Sequence, residues 1–136
     1  YWYSTRPMTE QAQRIVDISR YSAVPIAFSA DLAPALLVPW RHPTLTVVYA
    51  ADHVPLNAAG LVPAEGRADA RIILRCTSDH TLLSPSAGWP SAVEDIPLTD
   101  PVQQWWDLLD LGGNDRREAA DRLRRAILDH AIPSAA

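Results

Sequence analysis

The segment from residue 100 to residue 128, DPVQQWWDLLDLGGNDRREAADRLRRAIL, constrains the fold of this chain more than any other stretch. Gly112 and Gly113 separate two stretches whose apolar residues recur at helical spacing, and glycine commonly ends a helix in a left-handed conformation. Asp100 followed by Pro101 is a strong helix start, because the carboxylate accepts free backbone N–H groups and proline fits the first helical position. The segment therefore predicts a hairpin of two helices that packs one side on another layer.

The apolar residues of the two predicted helices indicate which sides are buried. In the first helix they recur at i, i+3, i+4 and i+7, a stripe wide enough to pack on a sheet. Trp105 and Trp106 belong to this stripe, but adjacent helical residues are about 100° apart and cannot both point straight inward. The tryptophan that lies further out is a candidate for contact with a partner. We predict that four buried residues hold the hairpin against the sheet: Val102, Leu109, Leu123 and Ile127.

Upstream of the hairpin, helical and strand patterns alternate. Helices are predicted to start near Thr9 and to cover residues 32–38, with a short helical turn at 55–59. Strands are predicted at residues 1–4, 24–29, 45–50, 71–76 and 81–86. A chain of 136 residues is sized for one domain. We therefore predict a single α/β or α+β layered domain, with a small sheet of about four to five strands packed by helices and a helical hairpin at its end.

The composition narrows the class of protein. A chain with 48% hydrophobic and 21% charged residues is typical of a folded globular domain. The net charge of −4 disfavours nucleic-acid binding by the domain as a whole. Cys76 is the single cysteine, so an internal disulfide framework is excluded, and we expect it to act as a small apolar residue at the end of a buried strand. Since the sequence has neither a long apolar run nor a signal-peptide pattern, we expect a cytoplasmic protein without membrane association.

Residues that could carry chemistry form no recognisable signature. Aspartate precedes histidine at residues 52–53, 79–80 and 129–130, but adjacent residues point in different directions, so these pairs do not predict a metal site. The sequence contains no phosphate-binding loop, dinucleotide fingerprint, nucleophile elbow or zinc-protease motif. We therefore expect no catalytic residue, no cofactor and no metal. A small-molecule-sensing or enzymatic domain whose polar residues cannot be nominated, and a dimerisation domain, stay open as alternatives.

Arginine supplies all twelve basic residues, and five arginines lie within residues 116–125. The absence of lysine, together with the abundance of alanine and proline, indicates a GC-rich coding genome and hence a bacterial source. Acidic residues at positions 115, 118 and 121 alternate with these arginines, which favours a solvated, salt-bridged face. The alternative is a contact with nucleic acid or with an acidic partner surface.

The segment from residue 97 to residue 128, PLTDPVQQWWDLLDLGGNDRREAADRLRRAIL, resembles the C-terminal region of abortive-infection antitoxins of the AbiEi type. Those proteins end in a proline-started helix, a D-L-L-like core, a glycine-containing turn and an Ala/Leu/Arg helix. Upstream, the elements also follow in a similar order: a small-residue helix at residues 29–37, a strand with a tyrosine at 47–49, and the short strand RIILR at 71–75. The resemblance implies the non-catalytic C-terminal domain of a type IV toxin–antitoxin antitoxin, or of a related winged-helix transcriptional regulator. It also implies a nucleotidyltransferase-like toxin as partner, encoded alongside.

In that family an N-terminal winged helix binds DNA, and this sequence has no recognisable counterpart of it. The chain begins at Tyr1 with an alternating aromatic stretch, YWYS, so we expect it to be the C-terminal part of a longer protein. DNA contact is accordingly expected only through the N-terminal domain that is absent here. We expect the partner surface to combine an exposed aromatic with arginine, at Trp105, Trp106, Arg117 and Arg124; a homodimer is left open.

Overall fold

A computed structural model describes residues 1–39, 42–85 and 89–129, which form one small α+β domain. Its main sheet contains five strands: β1 (Trp2–Tyr3), β2 (Ile26–Phe28), β3 (Thr46–Ala50), β4 (Val62–Pro63) and β5 (Ile72–Cys76). Its α-helices are α1 (Met8–Ser22), α2 (Leu32–Leu37), α3 (Pro101–Leu111) and α4 (Asn114–Leu128). The predicted fold class, the small sheet and the terminal helical hairpin are confirmed.

The strands of the main sheet lie in the order β2-β3-β5-β1-β4. β3 and β5 are the longest strands and run parallel, with Tyr49 opposite Arg75 in the register. The other neighbouring pairs in this sheet are antiparallel. Every residue of β3 is buried because the strand is covered on both faces, and its β-branched, apolar sequence TVVYA suits that position.

Two hydrophobic cores lie on opposite faces of the sheet, since side chains alternate along each strand. Val48 packs with Phe28 and with residues of α1 in the first core. Val47 packs with Leu108 of α3 and Leu123 of α4 in the second core. The domain is therefore layered as helix, sheet and helical hairpin.

A two-stranded sheet leads the chain into the hairpin. It pairs β6 (Ala92–Val93) with β7 (Ile96–Pro97). Glu94 and Asp95 connect the strands with φ of 51° and 65°, and positive φ at both central residues is what a two-residue type I′ turn requires. Directly afterwards, the backbone N–H of Thr99 donates to the carbonyl of Phe28 at 3.0 Å. This bond fixes the start of α3 beside the end of β2.

The ends of α3 follow the predicted pattern. The carboxylate of Asp100 accepts a hydrogen bond from the backbone N–H of Val102 at 2.9 Å. At the other end, Gly112 and Gly113 have φ of 81° and 96°, a region in which side chains with a Cβ are strained. The polar start and the glycine end thus set the length of α3 from local chemistry alone.

Two predictions about these regions are wrong. Residues 80–82 form a 3₁₀ turn rather than part of a strand, because the side chain of Asp79 caps them locally; residue 86 lies outside the described residues. Of the four residues predicted to be buried, Leu123 is buried and Ile127 is only partly buried, whereas Val102 and Leu109 are exposed. α3 is therefore rotated about its axis relative to the predicted orientation, for a reason that lies in its polar residues.

Candidate functional site

α3 turns two polar residues, Gln104 and Asp107, into the interior. Asp107 is only 1% exposed. Its carboxylate accepts hydrogen bonds from the hydroxyl of Ser29 at 2.6 Å and from that of Tyr49 at 3.0 Å. Gln104 Nε2 donates to the carbonyl of Thr99 at 2.9 Å. The bonds to Asp107 compensate the loss of water at its carboxylate, whereas the buried Oε1 of Gln104 has no hydrogen-bond partner among the described residues.

Arg75 brings a positive charge to the same cluster. Its guanidinium lies 3.6 Å from the carboxylate of Asp107 and donates to the hydroxyl of Tyr49 at 3.4 Å. The parallel register of β3 and β5 places Tyr49 and Arg75 side by side, and both are reached by α3. Gln103 completes the cluster by donating to Tyr49 at 3.1 Å and to Asp107 at 3.3 Å. We call Ser29, Tyr49, Arg75, Gln103 and Asp107 the polar cluster.

The outer end of the polar cluster reaches solvent through Asp110. Arg75 lies 3.4 Å and Arg67 lies 3.7 Å from its carboxylate. Asp110 and Arg67 are both well exposed, so these two ion pairs are weak in stability terms. The buried inner end of the cluster is therefore the part that determines how α3 is oriented.

The electrostatics of the polar cluster favour a neutral tyrosine. Burial raises the pKa of Tyr49, and the negative charge of Asp107 raises this pKa further. The positive charge of Arg75 acts in the opposite direction. The polar cluster contains no histidine or cysteine, and the hydroxyls of Ser29 and Tyr49 both donate to the carboxylate of Asp107. Its arrangement is that of a satisfied internal network.

The rotation of α3 leaves a row of large apolar side chains in solvent. Val102 is 53%, Trp106 is 62% and Leu109 is 41% exposed. Their i, i+4 and i+7 spacing places them along one side of the helix, and we call these three residues the α3 stripe. Trp105, in contrast, is partly buried and packs against the second core. Of the two tryptophans, Trp106 is thus the one that lies further out.

Arg117 and Arg124 on α4 are exposed. Neither forms an ion pair with a carboxylate among the described residues. Both are neighbours of Ala120 on the helix surface, at three and four residues' distance. Ala120 is fully buried in the second core together with Leu108 of α3. The two arginines therefore border the buried face of α4; Asp121, also exposed, lies between them.

Arg116, next in sequence to Arg117, has a different role. Its Nε donates to Asp31 at 2.8 Å and its terminal nitrogen donates to the other carboxylate oxygen at 3.0 Å. The same side chain donates to the hydroxyl of Thr44 and to the carbonyl of Gly112. This contact ties α4 to the start of α2, 85 residues away in the sequence.

The structure also places the residues considered for metal binding or thiol chemistry. Within the part of the chain that it describes, no group of three or more His, Cys, Asp or Glu side chains could hold a metal ion. Asp52 accepts a hydrogen bond from the backbone of the adjacent residue, and Asp79 caps a turn; the histidine at position 130 lies outside the described residues. Cys76 is exposed, so the expectation of a buried apolar role is wrong: β5 ends there at the surface.

Among residues 1–39, 42–85 and 89–129, no helix is both long and apolar enough to cross a membrane.

Sequence reasoning did not find the polar cluster. Its residues come from positions 29, 49, 75, 103 and 107, and only the register of β3 and β5 brings them together. One signal was available: Asp107 interrupts an otherwise apolar stretch, WWDLL, in the middle of a helix. Such a residue needs either solvent or buried donors.

Comparisons of the chain with protein-family models, with curated proteins and with solved structures found no match.

Proposed function

We propose that this chain is the non-catalytic C-terminal domain of a bacterial, antitoxin-like transcriptional regulator, which acts in the cytoplasm by binding a protein partner. The observation that supports this proposal is the α3 stripe, with Trp106 at its centre. A large tryptophan left 62% exposed between two other apolar residues carries unfavourable contact with water in the free domain. Covering it with a partner removes that contact, and tryptophan and arginine are the residues that most often dominate binding energy.

The polar cluster supports a binding domain over an enzyme. Its carboxylate accepts hydrogen bonds from three side chains of the domain, Ser29, Tyr49 and Gln103, and pairs with Arg75. Groups that are satisfied by one another in this way orient a helix and have little capacity left for a substrate. The resemblance of residues 97–128 to AbiEi-type antitoxins suggests the partner, a nucleotidyltransferase-like toxin encoded alongside. DNA contact is assigned to an N-terminal winged helix in a longer gene product.

The proposal is tested in cells with the full-length gene product. Repression of its own promoter and neutralisation of the co-encoded toxin are measured for Trp106→Ser and for the double variant Arg117→Glu, Arg124→Glu. Both sets of side chains are exposed, so the melting temperature should change little while repression or neutralisation falls. Tyr21→Ser is the matched control, because Tyr21 is a 90% exposed aromatic at the end of α1, on the other face of the sheet.

Loss of function in the hairpin variants, with normal expression and an unaffected control, supports the proposal. Full repression and full neutralisation in both hairpin variants would remove this surface from the function of the protein. If Tyr21→Ser loses as much function as Trp106→Ser, the effect is a general response to losing an exposed aromatic.

A further inference from the structure

Each helix of the α3–α4 hairpin carries a row of exposed side chains, and the two rows differ in chemistry. The α3 stripe runs from Val102 to Leu109, and a second row on α4 runs from Arg117 to Arg124. The two ends of each row are seven residues apart in sequence, which corresponds to about 10 Å or two helical turns. Both rows have the same length, and both helices belong to one hairpin.

The residues of the two rows also lie at similar distances from the turn between the helices. The helices run antiparallel from the turn at Gly112 and Gly113, so residues at equal distance from that turn lie level. Leu109 and Arg117 are each about one turn away, and Val102 and Arg124 are each about three turns away. At both ends of the two rows, an apolar side chain and a positive charge thus lie at about the same distance from the turn.

The chemistry of the rows favours a protein as the occupant. Contacts to the phosphate backbone of a nucleic acid are made mostly by charged and hydrogen-bonding groups, which leaves no use for three exposed apolar side chains. A second copy of this chain would bring the same basic row to the interface, and opposed like charges disfavour association. Arg117 and Arg124 have no ion pair with a described carboxylate, and Asp121 between them offsets only one of the two charges. The surface is therefore complementary to an acidic, apolar partner element.

We propose that the two rows form one surface and that its occupant is an acidic amphipathic helix of a protein partner. Apolar residues of that helix, spaced at i, i+3, i+4 and i+7, cover Val102, Trp106 and Leu109. Glutamate or aspartate residues along its edge pair with Arg117 and Arg124. This inference rests on the proposed function and specifies which element of the partner the domain binds.

The test uses the 136-residue chain and synthetic peptides. The probe is a peptide of about 18 residues, or five turns, with leucine at helical spacing and glutamate elsewhere. One control peptide has the same composition without the helical spacing, and a second replaces glutamate by lysine. Binding is followed by the indole N–H signals of the ¹⁵N-labelled protein, with that of Trp106 assigned from its loss in Trp106→Phe.

The expected result is that only the spaced acidic peptide binds and shifts the Trp106 signal. Trp106→Ser should weaken this binding roughly 30-fold, as for a central hot spot. Arg117→Glu with Arg124→Glu should weaken it about tenfold, and added salt should then no longer lower the affinity, because the reversed charges repel the glutamates of the peptide. Tyr21→Ser and Arg20→Glu, on α1, should leave the affinity unchanged.

Three results would overturn the inference. The first is no binding of the spaced acidic peptide, or equal binding of the lysine peptide. The second is that duplex DNA binds, loses affinity in the double arginine variant, and shifts the Trp106 signal when the acidic peptide does not. The third is a dimer in light scattering that Trp106→Ser converts to monomer, which would assign the surface to a second copy. The cell assays judge the proposed function separately. If the peptide binds but the hairpin variants keep full repression and neutralisation, the proposed function is contradicted. If the peptide does not bind but the hairpin variants lose function, only the acidic helix is contradicted.

Discussion

Asp107 is a mid-helix carboxylate that the fold buries almost completely. Two hydroxyls, one amide and one guanidinium surround it, supplied by residues from β3, β5, α3 and the segment after β2. A buried carboxylate costs free energy unless donors of this kind are in place, and donors without the carboxylate are costly in turn. At the scale of the residue, the position of α3 therefore depends on one side chain and its partners.

Replacing Asp107 should reveal this dependence. Asp107→Ala leaves the hydroxyls of Ser29 and Tyr49 without their acceptor, so the free energy of unfolding should fall by roughly 2–4 kcal/mol in urea denaturation. Asp110→Ala, one turn further along and half exposed, is the control and should change it by less than about 1 kcal/mol. Equal effects of the two variants would mean that the inner cluster does not hold α3.

The ionisation of Tyr49 provides a second test of the polar cluster. Burial and the charge of Asp107 raise the pKa of Tyr49 above its ordinary value of about 10. The folded state then keeps the proton at a pH where the unfolded chain has lost it. The stabilisation from this group is therefore complete below about pH 10 and is lost as pH rises through the folded-state pKa. The difference in tyrosinate absorbance between the native chain and Tyr49→Phe should have a midpoint above pH 10; a midpoint at or below 10 contradicts the described environment.

At the scale of the element, α3 shows how polar residues can override an apolar pattern. The most hydrophobic stripe, through Val102 and Leu109, suggested one orientation. The helix instead buries the side that contains Gln104, Asp107 and Leu108. The sheet beneath offers hydroxyls and a guanidinium at this place, and a carboxylate can satisfy them where a leucine cannot. The outcome is a helix that is apolar on both sides.

Adjacent leucines in α3 give a matched test of its orientation. Leu108 is 2% exposed and Leu109 is 41% exposed. Leu108→Ala should lower the free energy of unfolding by roughly 2–5 kcal/mol, because it leaves a cavity in the second core. Leu109→Ala should lower it by less than about 1 kcal/mol. Leu123→Ala in α4 should behave like Leu108→Ala, since Leu123 is fully buried. Denaturation curves in which Leu109→Ala is the more damaging variant would restore the orientation expected from the apolar stripe.

At the scale of the whole molecule, the hairpin is attached to the rest of the domain by contacts distant in sequence. Asp31 precedes α2, and its carboxylate accepts hydrogen bonds from the backbone N–H groups of Thr44 and Leu45 as well as from Arg116. This contact joins α4, α2 and the beginning of β3. It therefore couples the stability of the hairpin layer to that of the sheet.

Neighbouring arginines of α4 separate this structural role from the surface role. The side chain of Arg116 is only 16% exposed, and its loss leaves the buried carboxylate of Asp31 with fewer donors. Arg116→Ala should therefore lower the free energy of unfolding by roughly 2–4 kcal/mol. Arg117→Ala removes an exposed side chain without an ion pair to the described residues and should change it by less than about 0.5 kcal/mol. Chemical denaturation of the two variants, side by side, distinguishes the roles; similar losses would contradict them.

Short stretches of sequence are enough to predict the local features of this domain. Asp100, Pro101 and the two glycines fix the ends of α3 through capping and backbone conformation, which depend on a few adjacent residues. The β-branched run TVVYA identified β3 in the same way. The layered fold class and the helical hairpin were predicted from such elements. Of the proposed partner surface, the sequence supplied Trp106, Arg117 and Arg124 as candidates but could not say which tryptophan lies outside.

Contacts between residues distant in sequence set which side of α3 is buried and which residues meet. Ser29 and Asp107 are 78 residues apart, and Tyr49 and Arg75 become neighbours only through the parallel register of β3 and β5. Hydrophobic periodicity measures the average tendency of a helix side to leave water. It contains no information on whether hydrogen-bond donors lie beneath a particular carboxylate. A buried set of hydrogen bonds can outweigh the free energy gained by transferring a valine and a leucine side chain out of water. The exposed stripe of α3 is the consequence of that balance.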